Sequence, residues 1–210
     1  MRILVTNDDG IDAPGLWAAA KELQKVGEVI VVAPQQEQSG VGTSVSLRRP
    51  IKLSKVKAQH GEVETYSVEG TPADCVIIAI NSLLARKINL VVSGINRGPN
   101  IGNDIFVSGT VGAALQGYLH DIPSLALSLN AYEDLHFQVA AKLASLLAIK
   151  IKQGLISRRV LLNVNLPNLP YREIENVDIT TLSKQSCCDT VQQVQGGHYQ
   201  IVRAAQLSPA

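Results

Sequence analysis

Two adjacent acids, Asp8 and Asp9, come after the apolar run Ile3-Leu4-Val5 and the polar pair Thr6-Asn7, and directly before Gly10. Ionised carboxylates about 4 Å apart repel by roughly 4 kcal/mol at an effective dielectric near 20, so a close pair calls for a cation, a shared proton or divergent directions. Neighbouring side chains on a strand point to opposite faces. Both acids can therefore reach one ion only where the chain curls off the strand, and Gly10 permits that curl. In an open α/β sheet the pair would lie just outside the carboxyl end of the first strand, where ligands bind in such sheets. The competing reading has Asp8 capping the helical region that follows and Asp9 solvated, and position and residue type leave both open.

A second concentration of unusual residues lies downstream. Six of the 16 glycines fall between Gly94 and Gly117. Within that stretch Ser108-Gly109-Thr110 immediately precedes a predicted helix, whose N-terminus carries unpaired donors and a partial positive charge. This is an anion site in outline, with a simple capping turn as the alternative. The segment has neither the Walker lysine nor the dinucleotide spacing after a first strand, so no motif supports nucleoside triphosphate or NAD binding. Asn96 follows a predicted strand and opens on the same sheet edge as the acids. Its amide oxygen could complete an oxygen-lined metal shell, although asparagine is equally at home in a turn.

The elements that must position these residues follow from periodicity. Short runs rich in Val, Ile and Leu alternate with helical stretches, the pattern of a mostly parallel sheet covered on both faces. Strands are predicted over 2–6, 29–33, 90–93, 124–128 and 160–165, and helices over 15–25, 72–86, 111–119 and 134–152. In the last helix Leu135, Val139, Leu143, Leu146, Leu147 and Ile151 form the predicted packing stripe. Thr71-Pro72-Ala73-Asp74 reads as a helix start, with Thr as N-cap and an acid at the third position. Residues 44–68 break the alternation with short extended pieces and suggest an antiparallel insertion. Residues 190–206 read as a hairpin turning at Gly196-Gly197, which needs something to pack on, and a second copy of the chain is the natural candidate.

Composition narrows the function classes. With 46% hydrophobic and 18% charged residues the chain can bury a sizeable core. A net charge of +1 and only 4% aromatics disfavour binding to a nucleic-acid polymer. No apolar run approaches the ~18 residues of a membrane span, and the apolar segment after Met1-Arg2 is too short for a signal peptide, so the expected location is cytoplasmic. Of the three cysteines, Cys75 falls in a helix expected to be buried, and the adjacent Cys187 and Cys188 suit neither a disulfide framework nor a spaced zinc site.

Several motifs taken together resemble the survival protein E (SurE) family of stationary-phase nucleotidases. They are Met1-Arg-Ile-Leu-Val-Thr-Asn-Asp-Asp-Gly10, Val31-Val-Ala-Pro34 with Gln38-Ser39-Gly40, Gly70-Thr-Pro-Ala-Asp-Cys-Val76, Ser93-Gly-Ile-Asn-Arg-Gly-Pro-Asn100 and Ser108-Gly-Thr-Val-Gly-Ala-Ala114 with Ile122-Pro-Ser124. The likeness covers most of residues 1–128 and, more loosely, 162–167.

The resemblance implies a Rossmann-like, three-layer α/β fold with a mostly parallel sheet, a metallophosphatase domain over 1–184; the predicted hairpin makes 185–210 an extension expected to take part in oligomer contacts. It implies hydrolysis of nucleoside monophosphates to nucleoside and phosphate, with short polyphosphate as a further substrate, in a homodimer or homotetramer. By matching position the metal ligands would be Asp8, Asp9, the Ser39 hydroxyl and the Asn96 side-chain oxygen. Such an all-oxygen set suits one magnesium or manganese ion per subunit. Asp8, Asp9 and Asn96 would be the catalytic residues, and Asn96, Ser108, Gly109 and Thr110 would hold the phosphate. His60, His120, His136 and His198 fall outside the motifs and are read as ordinary residues.

The chain departs from the family pattern in two respects. The residue before Ser39, often basic in the family, is Gln38. Family members also continue beyond the position of Ala210, in a segment expected to pack back on the core. Two other enzyme types that place acids after a first strand fit less well, since the dehalogenase pattern wants Asp-x-Asp and a receiver domain wants a phosphoacceptor Asp ending its third strand. A non-catalytic nucleotide-binding module on the same fold is the remaining alternative, because fold alone does not specify function.

Overall fold

Runs such as Ile3-Leu4-Val5 and Val29-Ile30-Val31-Val32 are apolar at consecutive positions, which suits strands covered on both faces. The computed structural model, which describes residues 1–83, 87–184 and 188–204, places both in one seven-stranded sheet. The strands are β1 (Arg2–Thr6), β2 (Glu28–Pro34), β3 (Leu53–Lys55), β4 (Glu64–Val68), β5 (Leu90–Arg97), β6 (Ser124–Asn130) and β7 (Leu161–Pro167). Their spatial order is β3-β4-β2-β1-β5-β6-β7. All pairings are parallel except that of β3 with β4 at one edge. The antiparallel character predicted for 44–68 thus belongs to the β3–β4 pair, while β4 also pairs parallel with β2 and continues the main sheet.

Helices α1 (Pro14–Leu23) and α4 (Phe137–Lys152) cover one face, and α2 (Pro72–Ile78) and α3 (Gly109–Leu119) cover the other. Successive β1 residues divide between the layers: Ile3 and Val5 join the core under α1 and α4, and Leu4 joins the core under α2 and α3. From β1 the chain adds β2 and β4 on one side, then crosses back to add β5, β6 and β7 on the other. The β1–β5 seam is therefore the point where the winding reverses, and a crevice opens there at the carboxyl ends of the strands.

Local sequence explains how α2 begins. The Thr71 hydroxyl accepts the Asp74 N–H at 3.1 Å while the Asp74 carboxylate accepts the Thr71 N–H at 2.9 Å, a reciprocal capping box. Beyond Ile78 this helix loosens into a π-turn over Ala79–Leu83, and the predicted end at Arg86 lies outside the described residues.

Two expectations for α4 are corrected. It starts at Phe137 rather than 134, because Asp134 has φ +49°, a left-handed conformation no helix accommodates. The face it buries is Ala140, Ala141, Ala144 and Ala148 with Phe137 and Ile151, whereas Leu146 is 43% exposed and Val139, Leu143 and Leu147 flank the contact half-buried. The 3.6-residue period was read correctly, but its centre was rotated. Hydropathy ranks leucine above alanine, while α1 and the sheet approach α4 closely enough to select the small side chain.

The C-terminal hairpin pairs β8 (Cys188–Val194) antiparallel with β9 (His198–Ala204), turning through Gln195–Gly197 as predicted. Its Val191, Tyr199 and Ile201 side chains are solvent-exposed. Residues 205–206 of the predicted hairpin, and Cys187, fall outside the described residues. Cys75 is a fully buried free thiol in α2.

Candidate active site

Beyond Thr6 the chain leaves the sheet through Asn7 and reverses at Gly10, whose φ of +98° is the left-handed geometry glycine adopts freely. The Asn7 amide closes this turn, Nδ2 donating to the Gly10 carbonyl at 2.9 Å, while its Oδ1 is buried without a hydrogen-bond partner among the described residues. The Gln38 N–H donates to the Asp8 carbonyl at 2.7 Å and draws the loop after β2 against the turn.

Asp8 lies on the side of β1 that Leu4 shares with α2 and α3, and it meets the first turn of α3. The Thr110 hydroxyl donates to Asp8 Oδ1 in a short hydrogen bond. Ser108 is the N-cap of α3, its Oγ accepting the Val111 N–H at 3.1 Å, which is the capping role the sequence had left open. Gly109 lies between them. A Cβ on it would sit 2.8 Å from Asp8 Cβ and 3.0 Å from Asp8 Oδ2, so this approach of helix to acid requires glycine.

The other residues arrive from β5 and from the loop after β2. The β5–β6 register shifts between Ser93 and Asn96, a bulge that precedes the site. Half-buried Asn96 donates from Nδ2 to the Gly98 carbonyl at 2.9 Å, which leaves its amide oxygen as an acceptor. Arg97 ends the strand, its Nε 3.7 Å from Asp9 Oδ1. Ser39 is exposed and donates its hydroxyl to Glu37 Oε1 at 2.8 Å.

Electrostatics set the acids apart from ordinary surface carboxylates. Burial holds the Asp8 carboxyl above its usual range, opposed by its hydrogen bonds with Thr110. Burial, and then the neighbouring Asp8 charge, push Asp9 up to about 6, with Arg97 pulling the other way. The Glu37 charge adds to the repulsion on both. Three acids thus act on one another at the sheet edge, and Arg97 is the ion-pair partner of the Asp8–Asp9 pair among the described residues. A cation relieves such an arrangement.

Of the residues singled out in the sequence, Asp8, Gly109 and Thr110 are brought into direct contact, with Ser108 capping the same turn and Asp9 alongside. Asn96 opens at the same edge but is held by Gly98 rather than by the acids. Ser39 makes no contact with them among the described residues; its hydroxyl goes to Glu37, whose charge acts on both acids. Among the described residues no three His, Cys, Asp or Glu side chains gather closely enough to hold a metal ion, so an ion here would draw on hydroxyl and amide oxygens beside the two acids. The turn geometry and the glycine-limited approach of α3 fit such a shell, as does the oxygen-only donor set. Sequence reasoning missed Asn7, Glu37 and Arg97. Arg97 was within reach of it, since it directly follows Asn96 in a strand whose end had been placed too early.

A family model described as Survival protein SurE matches residues 3–189. The chain is similar to 5'-nucleotidase SurE of Dehalococcoides mccartyi (strain CBDB1), 47% identical over 214 residues that cover 100% of this chain and 81% of the relative. It is also similar to 5'-nucleotidase SurE of Moorella thermoacetica, 46% identical over 193 residues, 91% of this chain and 74% of the relative. Among solved structures, the crystal structure of the Sure protein from Aquifex aeolicus superposes with a TM-score of 0.83 at 37% identity, covering 97% of this chain and 82% of that one.

Proposed function

The chain belongs to the survival protein SurE family, and we propose on that premise that its 5'-nucleotidase reaction runs on one divalent cation held at the Asp8–Asp9 turn. The observation that carries this reading is the buried acid pair, which faces a helix N-terminus across a glycine contact and whose Asp9 has a pKa near 6. Asp8, Asp9, the Ser39 hydroxyl and the Asn96 amide oxygen would hold the ion, a set suited to magnesium or manganese. When bound, the cation supplies charge stabilisation to the phosphoryl oxygens and makes a water molecule acidic enough to attack near neutral pH.

The remaining work falls to the chain's own groups. Thr110 fixes the orientation of Asp8 through its hydroxyl, so it serves the acid rather than the phosphate. Ser108 accepts a hydrogen bond in its cap yet keeps its own O–H to donate, and with the Gly109 N–H it can hold phosphoryl oxygens at the positive end of α3. Asn96 closes the other side. These are fixed dipoles aimed where charge gathers during in-line displacement at phosphorus.

Phosphate release from AMP, with and without magnesium or manganese, compared between the native chain and Asp9→Asn, tests this directly. Metal-dependent turnover lost in Asp9→Asn is expected; turnover indifferent to metal, or an unaffected variant, would overturn it. Nucleotide binding with no turnover would favour the non-catalytic module. The same assay extends to 3'-monophosphates and short polyphosphate, which present an equivalent terminal phosphoryl group. We place the protein in the cytoplasm, in keeping with the buried free thiol of Cys75, and assign the hairpin's exposed Val191, Tyr199 and Ile201 to contacts in a homodimer or homotetramer.

A further inference from the structure

We propose that Arg97 is the phosphate-binding cation of this site, resting against Asp9 when no substrate is present and turning its guanidinium onto the phosphoryl oxygens when one arrives. The inference rests on the nucleotidase reading above. A phosphate monoester brings close to two negative charges to a place already occupied by Asp8 and Asp9 and influenced by Glu37. The donors offered by α3 are neutral: the Ser108 O–H and the Gly109 N–H, since the Thr110 hydroxyl is committed to Asp8. Gln38, which lies against the Asp8 backbone, is neutral too. Arg97 supplies the permanent positive charge that these groups lack.

Its geometry is that of a group able to leave. The 3.7 Å separation of Nε from Asp9 Oδ1 exceeds the about 2.7–2.9 Å of a charge-assisted hydrogen bond. Asp9 is 6% exposed at its side chain, whereas Arg97 is 48% exposed, so the pair joins a buried acid to a cation at the mouth. Among the described residues the guanidinium makes no hydrogen bond, which leaves its Nη donors uncommitted. Arg97 also ends β5, one residue beyond Asn96, on the side of the reversal seam facing the Asp8–Asp9 turn. A guanidinium stays charged at any working pH, and its fork matches two phosphate oxygens. A purely structural bridge would be short, buried and bidentate.

The test measures binding of inorganic phosphate by calorimetry to the magnesium-loaded native protein, Arg97→Ala and Arg97→Lys, with manganese affinity measured separately on each. Arg97→Ala is expected to weaken phosphate by about tenfold to a hundredfold, the loss typical of a charge-assisted hydrogen bond, and to raise KM for AMP by a similar factor with a smaller change in kcat. Manganese affinity should be unchanged or tighter, and Arg97→Lys should recover part of the phosphate affinity. A phosphate Kd within about twofold of native in Arg97→Ala, or a parallel loss of manganese, would overturn the proposal by limiting Arg97 to supporting Asp9. If Arg97→Ala does not fold, Arg97→Gln against Arg97→Lys makes the same comparison. Failure of the native protein itself to bind phosphate and hydrolyse AMP would sink the nucleotidase reading along with this one, whereas an active native enzyme with an indifferent Arg97→Ala sinks this one alone.

Discussion

The Thr110 hydroxyl hydrogen-bonds Asp8 Oδ1 across 102 positions of sequence, joining the turn after β1 to the first turn of α3. Thr110→Val keeps the shape and removes the donor, leaving a buried carboxylate short of a partner. The expected cost is about 1–3 kcal/mol of stability, read as a lower urea midpoint, together with reduced AMP turnover. Thr110→Ser should retain most of both.

Asp9→Asn should separate stability from function. In chelator the variant is expected to be more stable than native by on the order of 1–3 kcal/mol above pH 7, because it removes a carboxylate held near pKa 6 by burial and by Asp8. Calorimetric melting in chelator checks the gain, and manganese titration of the same sample should show weakened binding.

The pH dependence of the metal-free protein follows with a definite sign. Native Asp9 binds its proton more tightly than the unfolded chain, with a pKa of about 6 against an ordinary 3.8, so its favourable contribution is complete below about pH 4 and is lost as pH rises through 6. Metal binding needs the ionised form and runs the other way. Urea midpoints in chelator between pH 4.5 and 8 should carry a falling component from Asp9 that Asp9→Asn abolishes, while added manganese should stabilise the native protein more at pH 8 than at pH 5.

Gly109→Ala should damage the site without unravelling the helix. Alanine is favoured over glycine in a helix by roughly 1 kcal/mol, an advantage set here against a Cβ 2.8 Å from Asp8 Cβ. Activity is expected to fall by about tenfold or more as helix and acid are forced apart, with far-UV circular dichroism unchanged. An active Gly109→Ala would show that the close approach is dispensable.

Charges placed on the hairpin test its part in assembly. Val191→Asp with Ile201→Asp changes two cross-strand partners that are both exposed. Light scattering coupled to size exclusion should report a smaller assembly for the double variant than for native, with AMP turnover per monomer measured alongside.

The α/β architecture was readable because parallel strands buried on both faces leave uninterrupted apolar runs, and β1 matched its predicted bounds. What pattern could not supply was contact. The alanine face of α4 is chosen by the closeness of α1 and the sheet, which hydropathy does not encode. The bond between Asp8 and Thr110 depends on α3 packing beside β1, and no local signal joins residues so far apart. Gly94, at φ +121°, lies in the bulge and interrupts the strand pattern, so β5 was ended at Ser93 and Arg97 was overlooked. Asp8 and Asp9 were visible at once as chemistry, but their burial and the contact of Asp8 with α3 were not. Ser39 stood out only through family resemblance, and its bond to Glu37 could not have been inferred from composition.

The reversal of winding between β1 and β5 also has a consequence in time. Synthesis proceeds at about 5–20 residues per second, so Asp8 and Asp9 leave the ribosome on the order of 5–20 s before Thr110. For most of that interval β1 has no β5 along one edge, and throughout it the acids have no helix to face. A chain arrested before Ser108 would lack the Thr110 hydroxyl that holds Asp8. The contact that orients Asp8 is thus among the later ones to form, because it waits for the first turn of α3.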